Sequence, residues 1–181
     1  MKHARLRATL AVGLMACGVA TAQAQTTVTL PDTSQTTLLT ANVSEQARVT
    51  VPASVTFNVT NVGASTAASA ASVTINQIVL ATATKQLRVS VQAAAASFTP
   101  PSAGSSWAAA DVSWNAATWT SATGTAGTLS NVSFETVATC AANTVSCATT
   151  GLVFTLAPNA SVTRSGSHTL SVTWRFESIG A

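Results

Sequence analysis

The chain has 181 residues, of which 47% are hydrophobic and only 7% are charged, so it does not belong to the charge-rich, weakly hydrophobic class of disordered chains. Its formal net charge of +3 includes Lys2, Arg5 and Arg7 at the start of the sequence. Eight basic residues minus these three leaves five, which balance the five acids, so the rest of the chain has no net charge. This excludes a basic surface for nucleic acid or an anionic membrane.

The first residues read as an export signal. A basic start is followed by the apolar run ATLAVGLMACGVA and by TAQAQ, in which Ala22 and Ala24 occupy the A-x-A positions. This order predicts a secretory signal peptide over residues 1–24, cut between Ala24 and Gln25. The apolar run is shorter than the roughly 20 residues that span a bilayer, and so is every later run, so no transmembrane span is expected.

A second interpretation of this region starts from LMACG at residues 14–18, which resembles the lipobox of bacterial lipoproteins. Lipidation would make Cys17 the first residue of the mature chain. In either case the protein is predicted to be exported, to the cell surface, the extracellular space or the periplasm.

After the cleavage site, residues 25–45 form an extension in front of the main domain. The piece TTVTL, with Val28 and Leu30, is strand-like and is separated from the rest of the chain by Pro31 and Asp32. Such a strand can pair with an edge of its own sheet or with that of a neighbouring copy, as in donor-strand complementation.

From residue 46 onward, apolar and polar residues alternate. The pattern predicts strands in ARVTV, SVTFNV, SVTIN, KQLRVSVQ, NVSFE, GLVFTL and HTLSVTWRF, and the part LSVTWRF is the most secure core strand among them. FTPPSAGSS, SATGTAG and APNAS between them indicate turns, and one short helical turn is allowed near residues 64–71. Without crossover helices, the prediction is an all-β, antiparallel, two-sheet sandwich over residues 25–181, with a closed barrel as the alternative.

Cys140 and Cys147 remain after cleavage, and an exported chain meets an oxidising compartment. A disulfide between them is therefore expected. Two thiolates and one distant histidine are too few ligands for zinc, so no metal or other cofactor is expected.

Two stretches of the chain look familiar. VTFNVTNVGAST at residues 55–66 and RSGSHTLSVTWRF at residues 164–176 resemble the second and last strands of immunoglobulin-like sandwich modules in bacterial surface and fimbrial proteins. This resemblance implies an immunoglobulin-like sandwich. It brings no functional residue with it. The two cysteines are too close in sequence for the disulfide that joins the two sheets in antibody domains.

Three tryptophans lie in one loop-rich stretch, residues 98–124. Trp114 is in phase with Val112 and is predicted to be in the core. Trp107 and Trp119 either cap the sandwich or present indole faces to a glycan, which is the sequence basis of an alternative function as a glycan-binding or adhesin module.

Catalysis is not expected. Five acids and His168 leave few combinations that could form a catalytic carboxylate pair or a nucleophile–base pair. His168 shares the parity of Leu170 and Val172 but stands just after a glycine turn, so we expect it at the rim of the core. Glu177 and Arg175 are expected to form a surface ion pair. The first-ranked function is a secreted, non-catalytic structural subunit that associates with itself or with another surface protein through its N-terminal strand.

Overall fold

The structure is a computed structural model that describes residues 26–180. The signal peptide predicted for residues 1–24 and the alternative lipidation site Cys17 lie outside this range. The chain divides into two units, Met1–Ala41 and Asn42–Ala181. In the first unit, residues 26–41 form neither helix nor strand, so the strand predicted at Val28 and Leu30 is not formed within this chain. Its pairing with a neighbouring copy stays a prediction.

The described part of the second unit contains short and medium strands and a single turn of 3-10 helix, Ala109–Asp111. The strands are β1 (Gln46–Thr50), β2 (Thr66–Ala67), β3 (Ala71–Val79), β4 (Gln86–Ala93), β5 (Val112–Trp114), β6 (Ala122–Gly124), β7 (Gly127–Thr128), β8 (Glu135–Cys140), β9 (Ser146–Leu152), β10 (Phe154–Leu156) and β11 (Val172–Ile179). The prediction of a helical turn near residues 64–71 is wrong, because that stretch holds β2 and the start of β3.

Three antiparallel sheets make up the fold. Their strand orders are β1-β3-β9, β2-β10-β5-β7 and β11-β4-β8-β6. Only Val153 separates β9 from β10, so the first two sheets continue into one another and form one layer opposite the third. The predicted fold class, an all-β antiparallel sandwich, is confirmed. The closer likeness to immunoglobulin-like modules stays a prediction.

The core lies between these layers and follows the predicted alternation. The first and third sheets contribute side chains with no exposed surface, among them Val73, Ile75, Val89, Val91 and Leu152. Strict alternation predicts the strands that supply them, because each has one face toward the opposite layer. NVSFE is a partial exception: β8 begins only at Glu135, and Val132 lies 84% exposed in the preceding loop.

Cys140 and Cys147 form the predicted disulfide, with a Cα–Cα distance of 5.9 Å. The bond joins the last residue of β8 to β9, and these strands belong to opposite layers. The expectation that two cysteines so close in sequence do not join the sheets is therefore wrong. Residues 141–145 cross directly from one layer to the other at the edge of the sandwich, where the layers come closer than the roughly 10 Å between facing sheets.

The stretch SATGTAG is predicted to be a turn but contains β6 and the first residue of β7. Glycine is needed at position 127 because the indole of Trp114, its pairing partner in β5, packs directly against it. A Cβ at Gly127 would lie 2.5 Å from that indole. Trp114 is buried, as predicted. Glycine therefore marks a close approach here, where the sequence pattern indicates a change of direction.

Candidate functional site

Residues 52–62 have the predicted inward face of a strand but no strand neighbour. Val55, Phe57 and Val59 are half-buried and pack against the core, whereas Thr56 and Asn58 between them are exposed. Within residues 26–180, however, no backbone–backbone hydrogen bond involves residues 52–60. The backbone amides and carbonyls of this segment are therefore free to pair with an incoming chain.

β11 also has one edge whose backbone is not paired with another strand of the described residues. It pairs with β4 over its whole length, from Val172 opposite Ala93 to Ile179 opposite Gln86, and it has no second strand neighbour among the described residues. The prediction that LSVTWRF is the most secure core strand is wrong, because Val172 is 37% exposed and Trp174 and Phe176 are only half-buried.

A cavity of about 1000 Å³, which we call the groove, lies between residues 52–62 and the segment that leads into β11. Residues 52–62 form its first wall. Residues 163–172 and Trp174 form its second wall. Core side chains form its floor: Phe98, Trp107, Val112, Leu129, Phe154 and Leu156. An apolar floor between two unpaired backbone edges is the geometry that accepts an extended peptide, since main-chain hydrogen bonds provide affinity and side-chain pockets provide specificity.

Glu45, just before β1, connects the start of β1 with the end of β11. Its carboxylate accepts hydrogen bonds from the Ala81 amide at 2.7 Å, the Lys85 ammonium at 3.2 Å and the Ser178 hydroxyl at 3.2 Å. These bonds, the Ala81 amide first and Lys85 next, hold the pKa of Glu45 below its ordinary value. This one ionised side chain thus joins the residue before β1 to the loop between β3 and β4 and to the end of β11.

His168 connects the second wall of the groove to a neighbouring loop. One imidazole nitrogen lies 2.7 Å from the Ser106 hydroxyl and the other 3.0 Å from the Arg164 carbonyl oxygen. The ring also meets the edge of Trp107, with centroids 5.3 Å apart. His168 is thus a partly exposed rim residue, as predicted, and it fastens the second wall to the loop before Trp107.

Trp107 and Trp119, the residues proposed for glycan stacking, are 5% and 7% exposed. The Trp107 indole N–H donates to the Ala157 carbonyl at 3.0 Å, and its ring packs beside Phe98. Stacking on a sugar needs an open aromatic face, and neither indole presents one. The glycan-binding alternative therefore loses the feature on which it was based.

Arg164 is the only Lys, Arg, Asp or Glu among the described residues that line the groove. It is exposed, and its Nε donates to the Ala103 carbonyl at 3.2 Å. The stem of its side chain lies against Gly104, whose φ of +153° and lack of a Cβ make room for it. The described lining of the groove therefore combines an apolar floor with walls that contain uncharged polar residues, and it carries one cation where the second wall begins.

The outer face of β11 carries the predicted ion pair, extended to a third residue. Glu177 lies 3.0 Å from Arg175 and 2.5 Å from Arg88, its partner across β4. Arg175 also lies over the Phe134 ring, 4.4 Å from its centroid. The hydrogen bond from Arg88 is the main reason why the pKa of Glu177 is lowered. These charges are on the side of β11 away from the core.

The described N-terminal residues, 26–44, are nearly uncharged and expose several leucines. Leu30 is 82% exposed, and Leu38 and Leu39 are exposed as well. Asp32 is the one charged residue between 26 and 44. Exposed leucines in a nearly uncharged segment are unfavourable in water, so this segment is well suited to binding an apolar surface.

The described part of the chain offers no cluster of metal ligands. Within residues 26–180 no group of His, Cys, Asp and Glu side chains could hold a metal ion. The helical residues in the same range include no helix long and apolar enough to cross a membrane. Comparison with models of protein families, with curated proteins and with solved structures found no match.

Proposed function

We propose that this chain is an exported structural subunit of a bacterial surface assembly, and that copies join when the N-terminal segment of one copy enters the groove of the next. The observation that carries this proposal is the groove, whose two walls both have unpaired backbone edges. An apolar groove of this shape is filled better by an extended peptide with alternating apolar side chains than by a compact ligand.

The N-terminal segment is a suitable occupant. Val28 and Leu30 are two residues apart, so in an extended chain both point to the same side, with Thr27 and Thr29 on the other. That side could enter the groove while the threonines face water. The near-absence of charge on the segment fits a groove whose lining carries a single cation.

Association of this kind is heterologous, since a segment of one copy meets a different surface of the next. Heterologous contacts that do not close into a ring give open filaments. The charge-poor surface of the domain supports the same view, because few like charges keep neighbouring copies apart. Such a subunit would act at the cell surface or in the extracellular space.

Deletion of residues 25–30 from the mature protein tests the proposal. We expect the mature chain to form polymers, seen by light scattering and by negative-stain microscopy, and the deletion variant to remain monomeric. A synthetic peptide of residues 25–34 should bind the deletion variant and raise its melting temperature, because it would fill the groove.

A matched pair of variants controls for the loss of chain length. Val28→Ser with Leu30→Ser removes the inward face and should abolish polymers, whereas Thr27→Ser with Thr29→Ser changes only the other face and should leave them intact. If the mature protein and the deletion variant are the same monomer, and the peptide does not bind, the proposal is wrong.

A further inference from the structure

The groove and the N-terminal segment each carry one charge, and the two charges have opposite sign. Arg164 is the one charged residue among the described residues that line the groove, and Asp32 is the one charged residue between 26 and 44. Opposite charges on two otherwise apolar partners fix which part of one lies against which part of the other. The pair could therefore fix how far the N-terminal segment is inserted in the groove, which apolar contacts alone do not fix.

Arg164 is available for such a contact. Its Nε is used by the Ala103 carbonyl, but within residues 26–180 no carboxylate lies within ion-pair distance of its guanidinium. The terminal amino groups can therefore still bind a carboxylate, and a planar guanidinium suits one well.

Asp32 is available in the same sense. Its carboxylate accepts hydrogen bonds from the Ser34 hydroxyl at 2.6 Å, the Ser34 amide at 2.9 Å and Gln35 at 2.9 Å, all within its own turn. These bonds, that from the Ser34 hydroxyl first, lower the pKa of Asp32, so the side chain is ionised at neutral pH. Within the described residues it has no cationic partner.

The spacing along the segment selects its first part. The free chain bends at Leu30 and Pro31. Val28, Leu30 and Asp32 follow one another in steps of two, so when the segment is extended in the assembly all three point to the same side. With Leu30 on the groove floor, Asp32 comes about 6.6 Å further along the same side. Leu39, Ala41 and Val43 have the opposite parity, and a segment seated on them would turn Asp32 away from the groove. Leu38 shares the parity of Asp32 but lies six residues further along the chain, about 20 Å in an extended segment.

On the basis of the proposed function, we infer that Asp32 of one copy pairs with Arg164 of the next, and that this pair sets the register in which Leu30 and Val28 fill the groove. The segment then leaves the groove past Arg164, at the start of the second wall. Its earlier residues lie deeper, alongside the free edge of β11, to which it runs antiparallel.

Charge reversal tests the pair. Asp32→Arg would place two cations together in the assembly, and Arg164→Asp would place two anions together. Each variant alone should assemble about 3- to 10-fold more slowly than the unchanged chain in low salt, and the difference should shrink at about 1 M salt, where the screening length is about 3 Å. Arg48→Asp, an equal charge change on exposed β1 outside the groove, is the matched control and should assemble at the normal rate.

A 1:1 mixture of the two variants gives the sharpest readout. When the two variants alternate along a polymer, every contact joins opposite charges again, either at the two substituted positions or at the unchanged Asp32 and Arg164. We therefore expect the mixture to assemble at close to the normal rate although neither component does so alone. The double variant, Asp32→Arg with Arg164→Asp, should also recover.

Three results would overturn the inference, and each is distinct from failure of the proposed function. If both single variants assemble normally while deletion of residues 25–30 prevents assembly, strand exchange stands but this pair does not set the register. If the double variant recovers and the mixture does not, the contact forms within one copy. If neither recovers, the two residues do not form a pair at all.

Discussion

The edge of the sandwich closed by the disulfide and the edge occupied by the groove are built from similar sequence but covered to different extents. Beside the disulfide, Ile75, which pairs with Cys147, has no exposed surface. Along the groove, Phe57 and Trp174 follow the same alternating pattern and remain half-exposed. The difference lies in the neighbours. β3 lies between β1 and β9, and β9 has β3 on one side and a bridge from Thr120 to Ala148 on the other. Among the residues that the structure describes, β11 has a neighbour on one side only and residues 52–60 have none.

This contrast shows what alternation reports. A period of two identifies the face of a strand that is apolar, but it does not identify what covers that face. An open apolar face between unpaired edges is a hazard for a monomer, which natural proteins block or use for association. On the proposed function, the half-covered edge is the one that associates, and the closed edge keeps the domain folded.

The largest effect is expected from truncating a phenylalanine that is buried in the core and forms part of the groove floor. Phe154 is 6% exposed and packs edge-on against Trp114, with ring centroids 6.1 Å apart. Phe154→Ala should lower the free energy of unfolding by about 3–5 kcal/mol, because it loses buried area and leaves a cavity. Urea denaturation of the chain without residues 25–30 measures this. A loss below about 1 kcal/mol would mean that the region is not close-packed.

The same substitution in the first wall of the groove provides the comparison. Phe57 is half-buried and faces the open groove, so Phe57→Ala in the same shortened chain should cost only about 1 kcal/mol. Binding of the peptide of residues 25–34 should weaken more clearly, since the bound peptide would lose a side chain to pack against. If the two phenylalanine variants were equally destabilised, the groove would have to be closed in solution.

Much of the fold could be predicted from the sequence. The faces of β3, β4 and β10 follow from alternation because those faces meet the opposite layer of the same chain. β6 and β7 could not be predicted, since each has only a few residues and its glycines resemble a turn. The path of the disulfide between layers could not be predicted either, because spacing along the chain does not reveal where two layers converge.

The candidate site was only half predictable. The segment with Val28 and Leu30 is recognisable as strand-like, and residues 55–59 and 170–176 as strands. Their failure to meet a neighbour on one side is a property of three-dimensional arrangement, which no local pattern records. The sequence did contain one signal: residues 55–59 and 170–176 are both strand-like, and no third strand-like run is left to lie between them. It becomes visible only when strand order is known.

The smallest effect on stability is expected from Glu45, whose carboxylate connects the start of β1 with the end of β11. Its pKa is lowered in the folded chain by the Ala81 amide and Lys85, so its contribution to stability is present above the ordinary carboxylate pKa of about 4.3 and is lost as the pH falls through the folded value. The melting temperature should therefore decline as the pH is lowered from about 5 toward about 3. Glu45→Gln should lie slightly lower at neutral pH and decline less over the same pH range, because it has no proton to gain. Glu177 remains in both proteins and contributes the same acid-dependent loss to each, so the difference between the two curves isolates Glu45. Parallel melting curves would show that these hydrogen bonds do not hold the ends of β1 and β11 together.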